Sequence, residues 1–165
     1  MSTLRIRTAT IGDLDQIASI EETCFPPSEA AKHHIIEERL KVYPKGCFVA
    51  EVNNQIVGFV NGGVFNDDTI EDGFFENMDL HNDDHKSFVI FGLDVHPEFQ
   101  KNGYATKLMD HLVQFARKDG KEKILLTCKE YLIPYYERFG YVCHGVSTSV
   151  HGGAKWYDMT LKLNE

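Results

Sequence analysis

The stretch that most constrains this chain is Phe91–Asp110, FGLDVHPEFQKNGYATKLMD. Phe88–Phe91, at its leading edge, is apolar at every position. A strand with no wet face is buried on both sides and belongs at the centre of a sheet. Pro97 terminates its pairing. After a short polar turn, Ala105, Leu108, Met109, Leu112, Phe115 and Ala116 fall on one side of a helix. Gly120 ends that helix, and Ile124–Cys128 reads as a second short buried strand. Strand, helix and strand at this length form a βαβ crossover. The chain is therefore α/β.

The flanking segments supply the other strands. Leu4–Ala9 alternates Leu4 and Ile6 with Arg5 and Arg7, a strand with one wet face. Thr10 precedes Asp13 by three residues, a capping-box-like start. Leu14, Ile17, Ala18, Glu21 and Cys24 then follow helical spacing, apolar except at Glu21. Phe25-Pro26-Pro27 ends that helix, and Ser28 is placed to cap a second one, with Glu29 in its first turn. Cys47–Val52 and Gln55–Val64 are apolar and β-branched around Asn53-Asn54, which predicts a hairpin. Asn66–Asp84 is rich in Asp, Asn and Glu and reads as a long loop with one helical turn. Pro134 suits the start of a further helix and Gly140 its end. Tyr141–Val146 and Trp156–Leu163 read as closing strands. The expected order is β-α-α-β-β-β-α-β-α-β-β. It describes a single domain over residues 1–165, with a mixed sheet of about six to seven strands and about four helices.

The polar turn has a chemistry of its own. Backbone N–H groups at a helix start are free to point at a phosphate. Gly103 lacks a Cβ, so an anion can approach the backbone, and Ala105 keeps the first helical turn open. Lys101 adds a positive charge within reach. No Gly-Lys-Ser/Thr follows, so this is not a Walker loop, and the first strand leads into no GxGxxG. A formal net charge of −8 argues against binding nucleic acid or an anionic membrane. It suits a cationic acceptor such as an amine.

V-x-P-x-x-Q-x-x-G-x-A after a buried strand resembles the acetyl-CoA motif of the GNAT acetyltransferase superfamily, with Val95, Pro97, Gln100, Gly103 and Ala105 at the matching places. Leu132–Tyr141, LIPYYERFGY, is similar to that superfamily's F-Y-x-x-x-G-F segment. Its particular form, together with FPPSEAA before the second helix, looks most like the arylalkylamine N-acetyltransferase branch. The resemblance runs from Leu4 to Leu163 and implies the single-domain GNAT fold, with coenzyme A as partner and acetyl-CoA as co-substrate.

The resemblance also implies roles. The backbone of Leu93, Asp94 and Val95 matches the segment that holds the acetyl group and pantetheine arm. The N–H groups of Lys101, Asn102, Gly103, Tyr104, Ala105 and Thr106 match the diphosphate cradle. Tyr136 matches the tyrosine that protonates the departing thiolate. A phenol, with pKa about 10, keeps its proton at neutral pH. Tyr135 beside it is the decoy, and one of the two is expected to face the core.

The relatives' two strand histidines are replaced here by Val89 and Phe91. Glu29 is the first substitute base, with a plain helix-terminus role as the alternative. Asp94 could also approach the acceptor. His81 and His85, in HNDDH, come next; the spacing is not H-E-x-x-H, and no metal is expected. Phe74 and Phe75 are available as apolar walls for an amine, beside an acidic run that includes Asp67, Asp68 and Asp72.

The expected activity is acetyl transfer to a small primary amine, an arylalkylamine or a polyamine, by direct attack in a ternary complex. Acetylation of a peptide, or acyl-CoA binding without catalysis, are the alternatives. MSTLRIRTAT reads as strand and turn rather than a secretory leader. No apolar run approaches the roughly 20 residues of a membrane span. The four cysteines match no paired metal spacing. A reduced, cytoplasmic protein is expected, with no nucleic-acid or membrane partner and a homodimer left open.

Overall fold

The computed structural model describes residues 3–66 and 70–163. Its strands form one seven-stranded mixed sheet. Residue contacts divide the chain into two units, residues 1–62 with 91–112 and residues 63–90 with 113–165.

The first unit opens with β1 (Leu4–Thr8), α1 (Leu14–Cys24), α2 (His33–Val42) and β2 (Cys47–Val52). It continues through the larger part of β3 (Gln55–Phe65), the second half of β4 (Ser87–Val95) and the start of α4 (Tyr104–Lys118). β1 and β2 pair antiparallel, as do β2 and β3. The turn between β2 and β3 puts Asn53 at φ 52° and Asn54 at φ 65°. Two consecutive left-handed residues match the twist of a tight hairpin, and Asn tolerates that region better than most side chains. Ile17, Ile36 and Val49 are fully buried in one cluster with Leu14, Leu40, Ile56 and Phe59. Each buried aliphatic chain of this size contributes about 1.5–3 kcal/mol. At the entrance to α1, the Thr10 N–H donates to Asp13 Oδ2 at 2.8 Å. Arg7 grips the same carboxylate with both terminal nitrogens, at 2.8 and 3.0 Å.

One boundary in this unit departs from the sequence expectation. The second helix starts at His33, with Lys32 as its N-cap, and not after Ser28. Pro26 and Pro27 hold the chain in a turn instead, closed by Glu29 N–H and Ala30 N–H donating to the Pro26 carbonyl. The N–H groups of Glu29 and Ala30 are spent on the Pro26 carbonyl and that of Ala31 on Glu21 Oε2, so the chain turns there before the helix begins.

The second unit contains the first half of β4, α3 (Gly73–Glu76), β5 (Lys123–Cys128), α5 (Ile133–Glu137), β6 (Val142–Val146) and β7 (Tyr157–Lys162). β4 and β5 pair in parallel, joined through α4 as the βαβ reading requires. β5 and β7 pair antiparallel, as do β7 and β6. The single helical turn expected in the acidic loop is α3. Phe74 within it is 1% exposed and stacks on Phe65, with ring centroids 4.0 Å apart. Phe74 is thus a core residue and not a substrate wall. Phe75 stacks on His151 at 5.3 Å. Asp72 accepts from Ser149 Oγ and from Val150 N–H, so this part of the acidic run is tied into the unit. Asp67 and Asp68 lie outside the described residues.

Candidate active site

β4 ends at Val95, and the chain folds back on that end. The Val95 carbonyl accepts from Gln100 Nε2 at 2.9 Å and from Cys24 Sγ at 3.4 Å. Between them, Pro97–Phe99 forms a 3₁₀ turn in which His96 Nδ1 accepts from Glu98 N–H at 3.1 Å. His96 is therefore a capping residue. Asn102 Nδ2 donates to the Phe99 carbonyl at 2.9 Å and the Gln100 carbonyl at 3.4 Å. Three polar side chains, those of His96, Gln100 and Asn102, thus shape the turn from within.

That shaping forces two residues into the left-handed region, Lys101 at φ 67° and Gly103 at φ 79°. For Lys101 this costs about 1–2 kcal/mol. Gly103 adopts it freely, and a Cβ there would meet nothing within 4 Å. The first carbonyl of α4 to accept an intrahelical bond is Gly103 O, from Lys107 N–H at 3.1 Å. The N–H groups from Gly103 to Thr106 precede that bond and have no carbonyl behind them. Lys101, Asn102, Gly103 and Thr106 are exposed, and Tyr104 and Ala105 are half-buried. N–H groups gathered at the positive end of a helix favour an anion such as a diphosphate.

The strand leading into the turn is also available. The ladder to β5 covers Ser87–Val89 and does not extend to Leu93, Asp94 and Val95. Neighbouring β3 approaches so closely that a Cβ on Gly58 would sit 2.8 Å from the Asp94 carbonyl.

The Asp94 side chain does something else. It is 2% exposed, so it is not placed to reach an acceptor. It faces Glu21 of α1, which is 7% exposed, and the burial and charge of that neighbour hold the Asp94 carboxyl well above the usual carboxylate range. Arg39 of α2 lies alongside, 7% exposed, with its guanidinium 4.3 Å from the centre of the Phe91 ring. Burial lowers the Arg39 pKa to about 10, opposed first by Glu21. The sequence reading did not find this cluster. Its one visible signal was Glu21 interrupting the apolar face of α1.

Glu29 lies on the turn of residues 27–29, half-buried, with its N–H donating to Pro26 O at 2.9 Å. It is not in the first turn of α2, so the helix-terminus explanation for a carboxylate there does not apply.

Tyr136, in the second unit, sits on α5. Its ring lies edge-on to Tyr135 at 5.1 Å and to Tyr141 at 6.0 Å. Tyr135 and Tyr136 are both half-buried, and the Tyr135 hydroxyl is shut off from solvent. The fully buried member of the group is Tyr141, whose hydroxyl is pushed well above its ordinary pKa by burial and by Tyr136.

His81 is structural: its Nδ1 accepts from Val64 N–H at 2.9 Å and its Nε2 faces Asp83. Among the described residues, no group of three or more His, Cys, Asp or Glu side chains is placed to hold a metal ion. No helix among them is long and apolar enough to cross a membrane.

The acetyltransferase (GNAT) family model matches residues 14–141. An N-alpha-acetyltransferase of Saccharolobus solfataricus is 30% identical over 125 residues, covering 75% of this chain and 70% of that protein. The probable hydrolase YhcX of Bacillus subtilis is 26% identical over 144 residues, 81% of this chain. The chain spans only 27% of YhcX and 65% of another Bacillus subtilis relative, the uncharacterized N-acetyltransferase YkwB. Among solved structures, the loading GNATL domain of CurA from Lyngbya majuscula superposes with a TM-score of 0.87 at 15% identity, covering 98% of each chain. The acetyltransferase yncA of Salmonella typhimurium, solved with acetyl-CoA, gives a TM-score of 0.71 at 21% identity, covering 99% of this chain and 95% of that one.

Proposed function

We propose that this chain, which belongs to the acetyltransferase (GNAT) family, transfers an acetyl group from acetyl-CoA to the primary amine of a small molecule. The observation that carries the donor half is the turn at Lys101–Thr106, with two left-handed residues and unclaimed helix N–H groups. The diphosphate of the coenzyme lies on those N–H groups, and the backbone of Leu93, Asp94 and Val95 holds the acetyl and pantetheine portion. The amine attacks the thioester carbonyl directly. Charge gathers on the carbonyl oxygen, and fixed backbone donors stabilise it. Collapse of the tetrahedral species breaks the carbon–sulfur bond, and Tyr136 supplies the proton to the departing thiolate. Before attack, Glu29 takes a proton from the substrate ammonium, directly or through water, which frees the amine lone pair; the second proton, shed by the nitrogen as the amide forms, restores Tyr136 through solvent.

For the acceptor, an arylalkylamine or a polyamine is the leading class, supported by the net charge of −8 and by the PYYERFGY form of the Tyr136 segment. A peptide N-terminus is the second reading, favoured by the archaeal relative being an N-alpha-acetyltransferase. The four cysteines are all free thiols, which suits a reducing compartment such as the cytoplasm.

The test is release of coenzyme A thiol from acetyl-CoA across tyramine, tryptamine, serotonin, spermine and spermidine, with an unblocked peptide alongside. Turnover with at least one amine is expected. Turnover confined to the peptide replaces the small-amine reading with the second one.

A further inference from the structure

Three side-chain oxygens crowd one point in the interior of the first unit. A Cβ built on Gly92 would lie 3.1 Å from Asp94 Oδ1, 3.5 Å from Glu21 Oε1 and 3.7 Å from Asn61 Oδ1. Asp94, Glu21 and Asn61 are 2%, 7% and 3% exposed, so bulk water does not reach them. No donor among the described residues reaches either Asp94 oxygen. Buried oxygens without donors are rare because each forfeits its hydration. Two carboxylates face to face are worse still, since their charges repel where screening is weak. One arrangement resolves both problems: Asp94 carries the hydrogen and donates it to Glu21.

Glu21 has a second attachment. Its Oε2 accepts from the Ala31 N–H at 2.8 Å. Ala31 follows the proline turn between α1 and α2 and packs against the core of this unit. The chain of bonds therefore runs from the strand that feeds the cofactor turn, through one hydrogen, to the loop carrying Glu29.

We infer that Glu21 and Asp94 share a single proton at neutral pH, and that this proton is a latch holding loop 25–32 on β4. Both are positioning residues. The charged and titratable groups around them are Glu21 and Cys24 on α1, Arg39 and Glu38 on α2, Cys47 on β2 and Asp94 on β4. The Cys24 and Cys47 thiols are pushed up to about 12 by burial and stay neutral across the working range. With the Arg39 guanidinium charged and one proton shared between the two carboxyls, the three groups balance. Loss of the shared proton at alkaline pH leaves one uncompensated negative charge, and the relief is for Glu21 and the loop it holds to move away.

The inference rests on the functional reading above only for its consequence in catalysis, and its test needs no substrate. Amide hydrogen exchange at Ala31, corrected for the base-catalysed intrinsic rate, is followed from about pH 6 to 10 in the wild type and in Asp94→Asn. The side-chain amide that Asp94→Asn introduces donates to Glu21 at every pH. Wild-type protection at Ala31 is expected to fall about tenfold per pH unit once Asp94 ionises, while the variant stays flat. Infrared difference spectra at neutral pH should show a protonated-carboxyl band in the wild type that Asp94→Asn lacks. Glu21→Gln, which removes the neighbouring charge and offers Asp94 an amide, should shift the band and flatten the Ala31 profile, and serves if Asp94→Asn does not fold. A wild type with no such band, or Ala31 protection with the same pH dependence in wild type and Asp94→Asn, overturns the latch. Failure of the amine assay alone leaves it standing.

Discussion

Gln100 reaches back along the chain to Val95, its Nε2 donating to the Val95 carbonyl at 2.9 Å. The glutamine of the motif thus acts on the protein and not on the anion. It clamps the turn to the strand end, so that the N–H groups beyond it are already aimed. Replacing it with alanine removes one partly buried hydrogen bond, worth about 0.5–1.5 kcal/mol. The Val95 carbonyl keeps Cys24 Sγ as a donor, so the loss stays in that range. Gln100→Ala is expected to weaken acetyl-CoA binding about three- to tenfold by titration calorimetry, with a small drop in thermal midpoint.

Gly103 and Gly120 make a matched pair. Their φ values are +79° and +78°, and a Cβ on either meets nothing within 4 Å. Alanine at each therefore carries the same left-handed cost, about 1–2 kcal/mol. Only Gly103 stands beside the unclaimed N–H groups. Gly103→Ala should lose coenzyme affinity beyond its stability cost, whereas Gly120→Ala should lose stability alone. Chemical denaturation and coenzyme titration on both variants separate the two effects.

Tyr136→Phe is expected to lower kcat about 10²-fold or more, the usual weight of a general acid, with coenzyme affinity unchanged. Tyr135→Phe serves as the comparison and should retain most of its turnover. Glu29→Gln should also lower turnover with coenzyme affinity unchanged. Tight coenzyme binding with no acyl transfer in the wild type, and no change on Tyr136→Phe, would instead mark a binding module.

His81 gives the second unit a pH dependence. Burial lowers its pKa, against the raising effect of Asp83. Its Nδ1 is committed to accepting the Val64 N–H, a bond that a proton on Nδ1 would break. The unfolded chain takes up the proton near pH 6.5, and the folded chain does so only below that. This contribution to stability is complete above about pH 6.5 and is lost as pH falls through the folded value. Thermal midpoints measured from about pH 7.5 down to 5 should fall, and His81→Gln should flatten that step.

The element order was legible because it depends on local pattern. The apolar run at Phe88–Phe91, the helical spacing from Ala105 to Ala116 and the Asn53-Asn54 turn each announce themselves within a short window. The cofactor turn was legible for the same reason. The Glu21–Asp94–Arg39 cluster was not, because it joins residues from α1, β4 and α2 that meet only after folding. Glu21 broke the apolar stripe of its helix, and that breach was the available sign of a buried charge. The start of α2 was misplaced because Ser28 and Glu29 resemble a helix cap, while the Pro26-Pro27 pair imposes a separate turn first. Phe74 looked available to a substrate because its neighbours are acidic, yet its ring is packed on Phe65.

The central claim is that the coenzyme diphosphate lies on the N–H groups after β4. Amide chemical shifts recorded during titration with acetyl-CoA test it most directly. Saturable shifts are expected at Lys101, Asn102, Gly103, Tyr104, Ala105 and Thr106, with further shifts at Leu93, Asp94 and Val95. Saturable binding that leaves Lys101–Thr106 unmoved, or no binding at all, contradicts it.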